Sequence, residues 1–229
     1  MKETSEILRF LQENTNETNR AGMARFGIVT GNAFGIPMPA LRSLAKQYKK
    51  NHELAMDLWN AGYHETRILA PMIDNVKQVT VEQMERWVHD FDSWDICDQC
   101  CSNLFDKTPF AIDKTLEWVN SDQEFVKRAG FVMMACLAVH AKKLSNQQFL
   151  DFLPFIVRES DDKRNFVRKA VNWALRQIGK RNIQLHPEAL PVAEKLMNSE
   201  NATARWIGKD AYKELTDEKI INRIKSKEK

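Results

Sequence analysis

Four aspartates fall within the nine residues DFDSWDICD, which surround Trp94. Asp98 follows Trp94 by four positions and Asp95 by three, so on a helix these side chains share one face. An indole beside a carboxylate can stabilise a cationic group, because the aromatic face and the negative charge both attract it. The simpler interpretation is that Asp92, Ser93 or Asp95 caps a helix that starts here, which accounts for one or two of the four aspartates.

Two long stretches of the chain carry basic residues and no acidic ones. No Asp or Glu lies between Glu17 and Glu53, or between Asp162 and Glu188. The basic residues of these stretches are Arg20, Arg25, Arg42, Lys46, Lys49, Lys50, Lys163, Arg164, Arg168, Lys169, Arg176, Lys180 and Arg181. If the stretches converge in space they suit a polyanion, and otherwise they form a solvated basic face. The net charge of +3 implies no partner by itself.

Apolar residues recur at spacings of three and four along the chain, and alternating β-type runs are absent, which predicts an all-α protein. A first helix contains Ile7 and Leu11, and Pro39 stands near the start of a helix over about 40–50. We expect further helices at about 53–60, 64–74, 81–90, 94–105, 110–118, 122–141, 146–157, 163–179, 188–198, 201–214 and 217–226. No linker or low-complexity segment is visible, so we predict one domain over residues 1–229.

A weak internal repeat places a basic residue early in several of these helices. The tetrapeptides TRIL, VKRA, VRKA and ARWI begin at Thr66, Val126, Val167 and Ala204. The last three are about forty residues apart, a period typical of HEAT-like arrays, in which stacked helix pairs form a curved α-superhelix (a solenoid). Equivalent basic residues would then line a concave basic face. Alternatively, these early-helix Arg and Lys residues pair with neighbouring acids.

Several kinds of chemical site are not indicated by the sequence. There is no phosphate-binding glycine loop and no His-Glu-x-x-His motif. The run from Cys97 to Cys101 has no second cysteine pair at zinc spacing and only His89 nearby, so burial explains these cysteines better than a metal does. The five histidines are scattered, and none lies near a convincing nucleophile, which disfavours a Ser-His or Cys-His hydrolase. We expect no metal and no cofactor.

The sequence shows no signal for secretion or membrane insertion. The first residues, MKETSE, lack the apolar core of a signal peptide. No apolar run approaches the ~18 residues of a membrane helix, and the four cysteines require no oxidising compartment. We predict a cytoplasmic protein that has no membrane partner.

Four motifs follow one another along most of the chain. They are MARF at 23–26 with FGIPMPALR at 34–42, WDICD at 94–98, RA at 128–129 after WVNS at 118–121, and KAVNWALR at 169–176. Together they resemble the DNA alkylation repair glycosylases of the AlkD type, which are built from HEAT-like repeats. The second motif is similar to the Trp-Asp-x-x-Asp motif of that family, the third to its basic mid-chain helix and the fourth to its late tryptophan helix.

The chain departs from this family at three points. Ser93 precedes Trp94 where the family often has two adjacent tryptophans. Phe26 stands where the family often has a tyrosine, so a hydroxyl contact is missing. After about Asn182 we expect the sequence to follow the family poorly.

The resemblance implies a role for each matching residue. Asp98 corresponds to the catalytic carboxylate, and Trp94 and Trp173 to an aromatic pair beside the deoxyribose and phosphates of the lesion. Arg128 corresponds to a residue that contacts the DNA backbone. The other basic residues that we predict to bind DNA are Arg42, Lys127, Arg168, Lys169 and Arg176.

These roles predict a glycosylase that hydrolyses the N-glycosidic bond of cationic alkylated purines, of the 3-methyladenine and 7-methylguanine type, in double-stranded DNA. We expect the protein to act as a monomer. The alternative hypothesis is a non-catalytic HEAT-like repeat protein that binds bent or branched DNA, because a fold does not fix an activity. A protein-binding scaffold is a third possibility.

Overall fold

The computed structural model describes residues 2–226, and every regular element in this range is an α-helix or a 3₁₀-helix. This confirms the predicted all-α class. The chain forms two compact units, Met1–Phe110 and Ala111–Lys229, which we call unit 1 and unit 2. The expectation of a single domain over residues 1–229 stays a prediction.

Unit 1 begins with two helices that precede a long connection, and five further helices follow. The α-helices of its described part are α1 (Lys2–Glu13), α2 (Glu17–Ala24), α3 (Met38–Ala45), α4 (His52–Ala61), α5 (His64–Ile73), α6 (Val81–His89) and α7 (Trp94–Asn103). Short 3₁₀-helices lie at Val76–Gln78 and Phe105–Lys107. The helix α5 packs against α3, α4 and α7 and is therefore central to this unit.

An aromatic cluster forms part of the core of unit 1. The buried indoles of Trp59 and Trp87 are stacked, with 4.1 Å between ring centroids and 3° between ring planes. Phe91 and Phe105 pack against them with centroid distances of 6.1 and 6.3 Å. Because buried aromatic rings remove large apolar areas from water, this cluster holds α4, α6 and the chain before α7 together.

The first turn of α5 fixes the backbone that leads into α3. The carboxylate of Glu65, which is 1% exposed, accepts hydrogen bonds from three consecutive backbone N–H groups, at 2.9, 2.7 and 3.2 Å, those of Phe34, Gly35 and Ile36. Gly35 has φ +77°, a conformation that favours glycine. A Cβ there would also collide with the carbonyl oxygen of Asn16. A buried carboxylate needs such donors, so this turn is tied to α5.

Unit 2 consists of helices that are packed around one central helix. Its described α-helices are α8 (Ala111–Trp118), α9 (Glu124–His140), α10 (Asn146–Leu150), α11 (Leu153–Arg158), α12 (Asn165–Gly179), α13 (His186–Met197), α14 (Ala202–Leu215) and α15 (Glu218–Ser226). A 3₁₀-helix lies at Glu159–Asp161. The helix α9 packs on α8 and α12, and α14 packs on α12 and α13.

The core of unit 2 is organised around α9. Every residue from Val126 to Ala138 is buried. A helix that is buried on all sides must be apolar nearly throughout, and the segment AGFVMMACLA satisfies this requirement. Gly130 lets α8 approach closely, because a Cβ at this position would lie 2.7 Å from the backbone nitrogen of Val119.

The structure corrects the predicted helices at three places. The helix α2 was not predicted, because its sequence ETNRAGMA buries no residue and so has no apolar period. The helix predicted over 40–50 ends at Ala45, and Lys50 has a left-handed φ of 63°. The helix predicted over 146–157 is divided into α10 and α11, with Pro154 in the first turn of the latter. The other predicted helices are confirmed to within about two residues at each end.

The basic residues of the internal repeat occupy equivalent positions in the structure. Each is the fourth residue of its helix: Arg67 in α5, Lys127 in α9, Arg168 in α12 and Arg205 in α14. Each also has a hydrogen-bond acceptor within its own unit. In the same order, these are the backbone oxygen of Asp90, the carboxylate of Glu159, the amide oxygen of Asn165 and the backbone oxygen of Ser199. Glu159 beside Lys127 and Asp92 at 3.7 Å from Arg67 match pairing with neighbouring acids, the alternative interpretation of the repeat. The acceptors of Arg168 and Arg205 are neutral oxygens, which compensate no charge.

Gly208 on α14 lies where α13 passes closest. A Cβ added at Gly208 would overlap the backbone of Leu196 and Met197, which cannot move without shifting the end of α13. We therefore expect Gly208→Ala to lower the free energy of unfolding by about 1–3 kcal/mol, because it overpacks a helix contact. Urea denaturation followed by circular dichroism measures this change.

Gly22→Ala is the matched control for Gly208→Ala. An added Cβ at Gly22 on α2 meets no atom within 4 Å. The greater helix propensity of alanine is then the only expected effect, and we expect the free energy of unfolding to rise by up to about 1 kcal/mol. Similar destabilisation of both variants would contradict the close approach of α13 and α14.

Candidate functional site

The start of α7 is tied to the connection between α2 and α3. Ser93 is the N-cap residue by position, but its hydroxyl makes no capping hydrogen bond and instead accepts one from the backbone N–H of Val29 at 3.1 Å. The indole Nε1 of Trp94 donates to the backbone oxygen of Phe26 at 3.1 Å. Ser93, one of the three candidates for the cap of this helix, therefore does not cap it through its side chain, which instead holds the neighbouring segment.

Asp95, whose side chain is 18% exposed, forms a pair with the buried His64. Its Oδ2 lies 3.0 Å from His64 Nε2, and its Oδ1 accepts the backbone N–H of Ile96 at 3.0 Å. The His64 side chain is 6% exposed, and its Nδ1 has no hydrogen-bond partner among the described residues. Burial alone would lower the pKa of His64, but the hydrogen bond and charge of Asp95, with the charges of Glu65 and Asp92, outweigh burial and raise the pKa.

His64 is not among the site residues predicted from the sequence. The five histidines are scattered along the chain, and no motif links the start of α5 to the start of α7. The pair forms only because α5 and α7 pack together. A single sequence does not show which distant residue will pair with a histidine at the start of a helix.

Asp98, the predicted catalytic carboxylate, lies on α7 one turn after Trp94, and both side chains are half-buried. Trp94, Asp95 and Asp98 all lie on α7, and their sharing of one face stays a prediction. Asp92 lies before α7, has a 48% exposed side chain and stands 3.7 Å from Arg67. The catalytic roles of Asp98 and Trp94 stay predictions.

An apolar cavity of about 490 Å³ lies in unit 1 beside the start of α7. Residues of α2, α3, α5 and α7 and of the connection between α2 and α3 line it. Its main apolar lining residues are Met23, Phe26, Ile36, Met38, Ile68 and Trp94. Its polar lining includes His64, Asp95 and Gln99. Of the predicted site residues of unit 1, Trp94 therefore lines this cavity, whereas Asp98 is not part of its lining.

The cysteines of α7 are packing residues. Cys97, Cys100 and Cys101 are fully buried, as the packing interpretation predicts. Burial, with the nearby Cys97 and Asp74, raises the pKa of the Cys100 thiol well above its usual value. Within residues 2–226, no three His, Cys, Asp or Glu side chains group as metal ligands would.

Arg128 and Lys127, predicted DNA contacts in unit 2, are buried at 5% and 8% exposure. The Nη1 of Arg128 donates to the backbone oxygen of Phe166 at 2.6 Å and so links α9 to α12. The ammonium of Lys127 lies 2.5 Å from the carboxylate of Glu159. Burial would raise the pKa of Glu159, but hydrogen bonds from Lys127 and Arg158 lower it. Local carboxylates thus compensate the charge of Lys127.

The remaining predicted residues of unit 2 lie on α12. Trp173 is half-buried. The guanidinium of Arg168 lies 4.9 Å from the ring centroid of Trp206, and that of Arg176 pairs with Glu214 at 2.8 Å. The predicted residues that remain exposed are Lys169 on α12 and, in unit 1, Arg42 on α3.

A second cavity, of about 360 Å³, lies in unit 2 among α9, α12 and α15 and has a basic lining. Its cations are Lys142, Lys180, Arg181 and Arg223. The guanidinium of Arg181 donates to the backbone oxygens of Ala138 and Ala141 at 2.9 and 2.8 Å, which satisfies the end of α9. Burial lowers the pKa of Arg181. Sequence reasoning placed Arg181 in a basic stretch but gave no indication of this cavity.

None of the helices in the part of the chain that the structure describes has the length and apolar composition needed to cross a membrane. The cytoplasmic location stays a prediction.

The sequence model of a family described as DNA alkylation repair enzyme matches residues 7–215. The matched range contains every residue to which the resemblance assigned a role. It also continues beyond Asn182 to residue 215. The expectation that the sequence follows the family poorly in this part stays a prediction.

Relatives and solved structures extend the comparison. An uncharacterized protein of Listeria innocua is 24% identical over 167 residues, which cover 71% of this chain and 72% of the relative. An uncharacterized protein of Listeria monocytogenes is 22% identical with the same coverage. A solved structure described as a new family of proteins related to the HEAT-like repeat DNA glycosylases, with affinity for branched DNA structures, has a TM-score of 0.76 and 19% identity over 90% of this chain and 92% of that one. This likeness confirms the predicted HEAT-like fold.

The raised pKa of His64 makes part of the stability depend on pH. The folded protein holds this proton more tightly than the unfolded chain, in which the pKa is near 6.5. The contribution is therefore fully present below about pH 6.5 and is lost as the pH rises through the folded-state pKa. We expect His64→Gln to remove this decline in the free energy of unfolding. Urea denaturation at closely spaced pH values measures it.

His89→Gln is the matched control, because the side chain of His89 is 48% exposed on α6. We expect this variant to keep the pH dependence of the wild type. A decline as steep in His64→Gln as in the wild type would contradict the assignment to the His64–Asp95 pair.

Proposed function

Because the chain belongs to the DNA alkylation repair enzyme family, we propose that it hydrolyses the N-glycosidic bond of cationic alkylated purines in DNA. The substrates are of the 3-methyladenine and 7-methylguanine type. The observation that carries the proposal is the arrangement on α7, where the half-buried carboxylate of Asp98 follows the half-buried indole of Trp94 by one turn within the matched range.

The chemistry of the substrate explains why one carboxylate suffices. Glycosidic cleavage passes through an oxocarbenium-like transition state, and most glycosidases add a second carboxylic acid to protonate the leaving group. A 3- or 7-alkylated purine already carries a positive charge and leaves as a neutral base, so it needs no general acid. In the proposed reaction, Asp98 stabilises the positive charge that develops on the sugar and positions the attacking water.

Aromatic side chains support the same transition state. The face of Trp94 attracts the cationic sugar, and its Nε1 bond to Phe26 fixes the orientation of the ring. Trp173 on α12 is half-buried and is proposed, on the resemblance, to lie beside the lesion. The proposed contact of Arg128 with the DNA backbone also rests on the resemblance, because its Nη1 is engaged with Phe166.

Asp98→Asn tests the catalytic proposal. The amide keeps the shape of the side chain but removes the negative charge that the oxocarbenium-like state requires. We expect the rate of 7-methylguanine or 3-methyladenine release from methylated DNA to fall about 100- to 1000-fold, with DNA binding retained. Chromatography of the released bases after incubation measures the rate.

Asp92→Asn is the matched control, because Asp92 is a more exposed aspartate of the same stretch. We expect it to keep most of the activity. If the wild type releases the alkylated base no faster than the uncatalysed reaction does, the glycosylase proposal is wrong.

DNA binding in this proposal depends on exposed cations, since paired charges release fewer counterions. Lys169 is exposed on α12. We expect Lys169→Ala to weaken binding about equally for different sequences and to reduce the slope of log affinity against log salt by about 0.9. Fluorescence anisotropy at several salt concentrations measures the slope.

Lys213→Ala is the control for the salt dependence, because Lys213 is an exposed lysine of α14 outside the predicted set. We expect its slope to equal that of the wild type. An unchanged slope in Lys169→Ala would remove Lys169 from the DNA-binding set.

The second candidate is a non-catalytic protein that binds branched DNA. The observation that favours it is the structural neighbour with affinity for branched DNA. In this case the wild type would release no alkylated base, would prefer a four-way junction to a linear duplex, and would bind the junction at least as tightly after Asp98→Asn. The release assay and a junction-binding assay on the same proteins therefore separate the two candidates.

A further inference from the structure

The basic cavity of unit 2 combines positive charge with an apolar wall. Its volume of about 360 Å³ falls in the range of small-molecule sites. Val139 at the end of α9 and Ile220 and Ile224 on α15 form most of the apolar wall. Val139 is 40% exposed, so this wall still has apolar surface in contact with solvent. A ligand that covers this surface is stabilised by the removal of apolar area from water.

Two of the cations that line the cavity have no acidic partner within residues 2–226. They are Lys142, which follows α9, and Arg223 on α15, and both are exposed. Lys180, at the end of α12, is by contrast 2.5 Å from the carboxylate of Glu214. Lys142 and Arg223 come from separate elements to one cavity, so they can bind one anionic group together.

Arg181 contributes a fixed positive charge to the same cavity. Its guanidinium donates to the backbone oxygens of Ala138 and Ala141 and lies 4.3 Å from the ring centroid of Phe149. The last carbonyl groups of a helix carry partial negative charge, which repels an anion. Because Arg181 offsets this charge at the end of α9, an anion can approach Lys142 there.

The cavity is distant along the chain from the predicted DNA contacts of α9 and α12. Val139 follows Lys127 by twelve positions, and Lys180 follows Arg168 by twelve. Twelve residues of helix correspond to about 18 Å along the axis. The cavity and the predicted contacts therefore lie toward opposite ends of these helices, and a ligand in the cavity has no part in the proposed glycosylase reaction.

We propose that this cavity binds a small organic phosphate, a phosphomonoester whose organic part is apolar or aromatic. Lys142 and Arg223 bind the phosphate, and the organic part covers Val139 and Ile220. A phosphomonoester carries a charge of about −1.5 to −2 at pH 7, which matches several converging cations better than a singly charged carboxylate does. Charge-assisted hydrogen bonds from lysine and arginine are the usual means of binding such a group.

Isothermal titration calorimetry of the full-length protein with phenyl phosphate, at physiological salt, tests the proposal. Phenyl phosphate has both parts of the proposed ligand, whereas inorganic phosphate and phenol each have one. We expect phenyl phosphate to bind at least about tenfold more tightly than either of them. We expect Lys142→Gln and Arg223→Gln each to weaken its binding about tenfold, because a charge-assisted hydrogen bond is lost.

Val139→Asn tests the apolar wall separately from the charges. The amide has a similar size but exposes less apolar surface to the ligand. We expect this variant to weaken the binding of phenyl phosphate about threefold and to leave the binding of inorganic phosphate unchanged.

Two control variants remove the same charge beside the cavity. Lys143→Gln and Lys225→Gln change exposed lysines that are close in sequence to Lys142 and Arg223 but do not line the cavity. A general effect of net charge would appear equally in these variants. We expect both controls to bind phenyl phosphate as the wild type does.

Absence of binding, binding no tighter than that of inorganic phosphate, or equal weakening in the controls would overturn the proposal. If Lys142→Gln and Arg223→Gln lose affinity for a DNA duplex as strongly as for phenyl phosphate, the cations belong to a DNA surface and the proposal is also wrong. Base release from methylated DNA is a separate measurement. Its absence in the wild type would contradict the glycosylase proposal and leave this one standing.

Discussion

The structure of unit 1 depends on the burial of one carboxylate, that of Glu65. A carboxyl group that is almost fully buried needs hydrogen-bond donors around it, and three successive N–H groups of the turn before α3 supply them. On the same turn of α5, His64 reaches Asp95, and Arg67 donates to the backbone oxygen of Asp90. A single helical turn therefore joins the chain before α3 to both ends of the stretch that opens α7.

The basic residues of unit 2 show why the number of charged residues in a sequence says little about the electrostatic field around the folded protein. Lys127 and Arg176 both belong to the predicted DNA-binding set, yet each has a carboxylate as its partner. An ion pair presents a dipole to a phosphate and contributes less than a solvated cation does. Lys169, on the same helix as Arg176, is exposed.

The structural features that could be predicted from the sequence are those that depend on residues close together in the chain. Helical periodicity was sufficient for most helices, and a separation of four residues was sufficient to place Trp94 and Asp98 on one helix. Features that depend on distant residues were missed: the pair of His64 and Asp95, the partner of Lys127 and both cavities. The helix α2 was missed for another reason, because it buries no residue and therefore leaves no apolar pattern. The remaining roles of the site residues came from the family resemblance, which transfers chemistry but not local partners.

In a protein of the DNA alkylation repair family, the burial of the α7 thiols has a chemical consequence. Thiolates are the nucleophilic form of cysteine, and the electrophiles that methylate purines also react with them. Cys100 has no exposed surface, and its raised pKa keeps it as the neutral thiol. The helix that carries Asp98 thus contains three cysteines that are shielded from solvent. Burial therefore keeps these three thiols out of contact with reagents in the solvent.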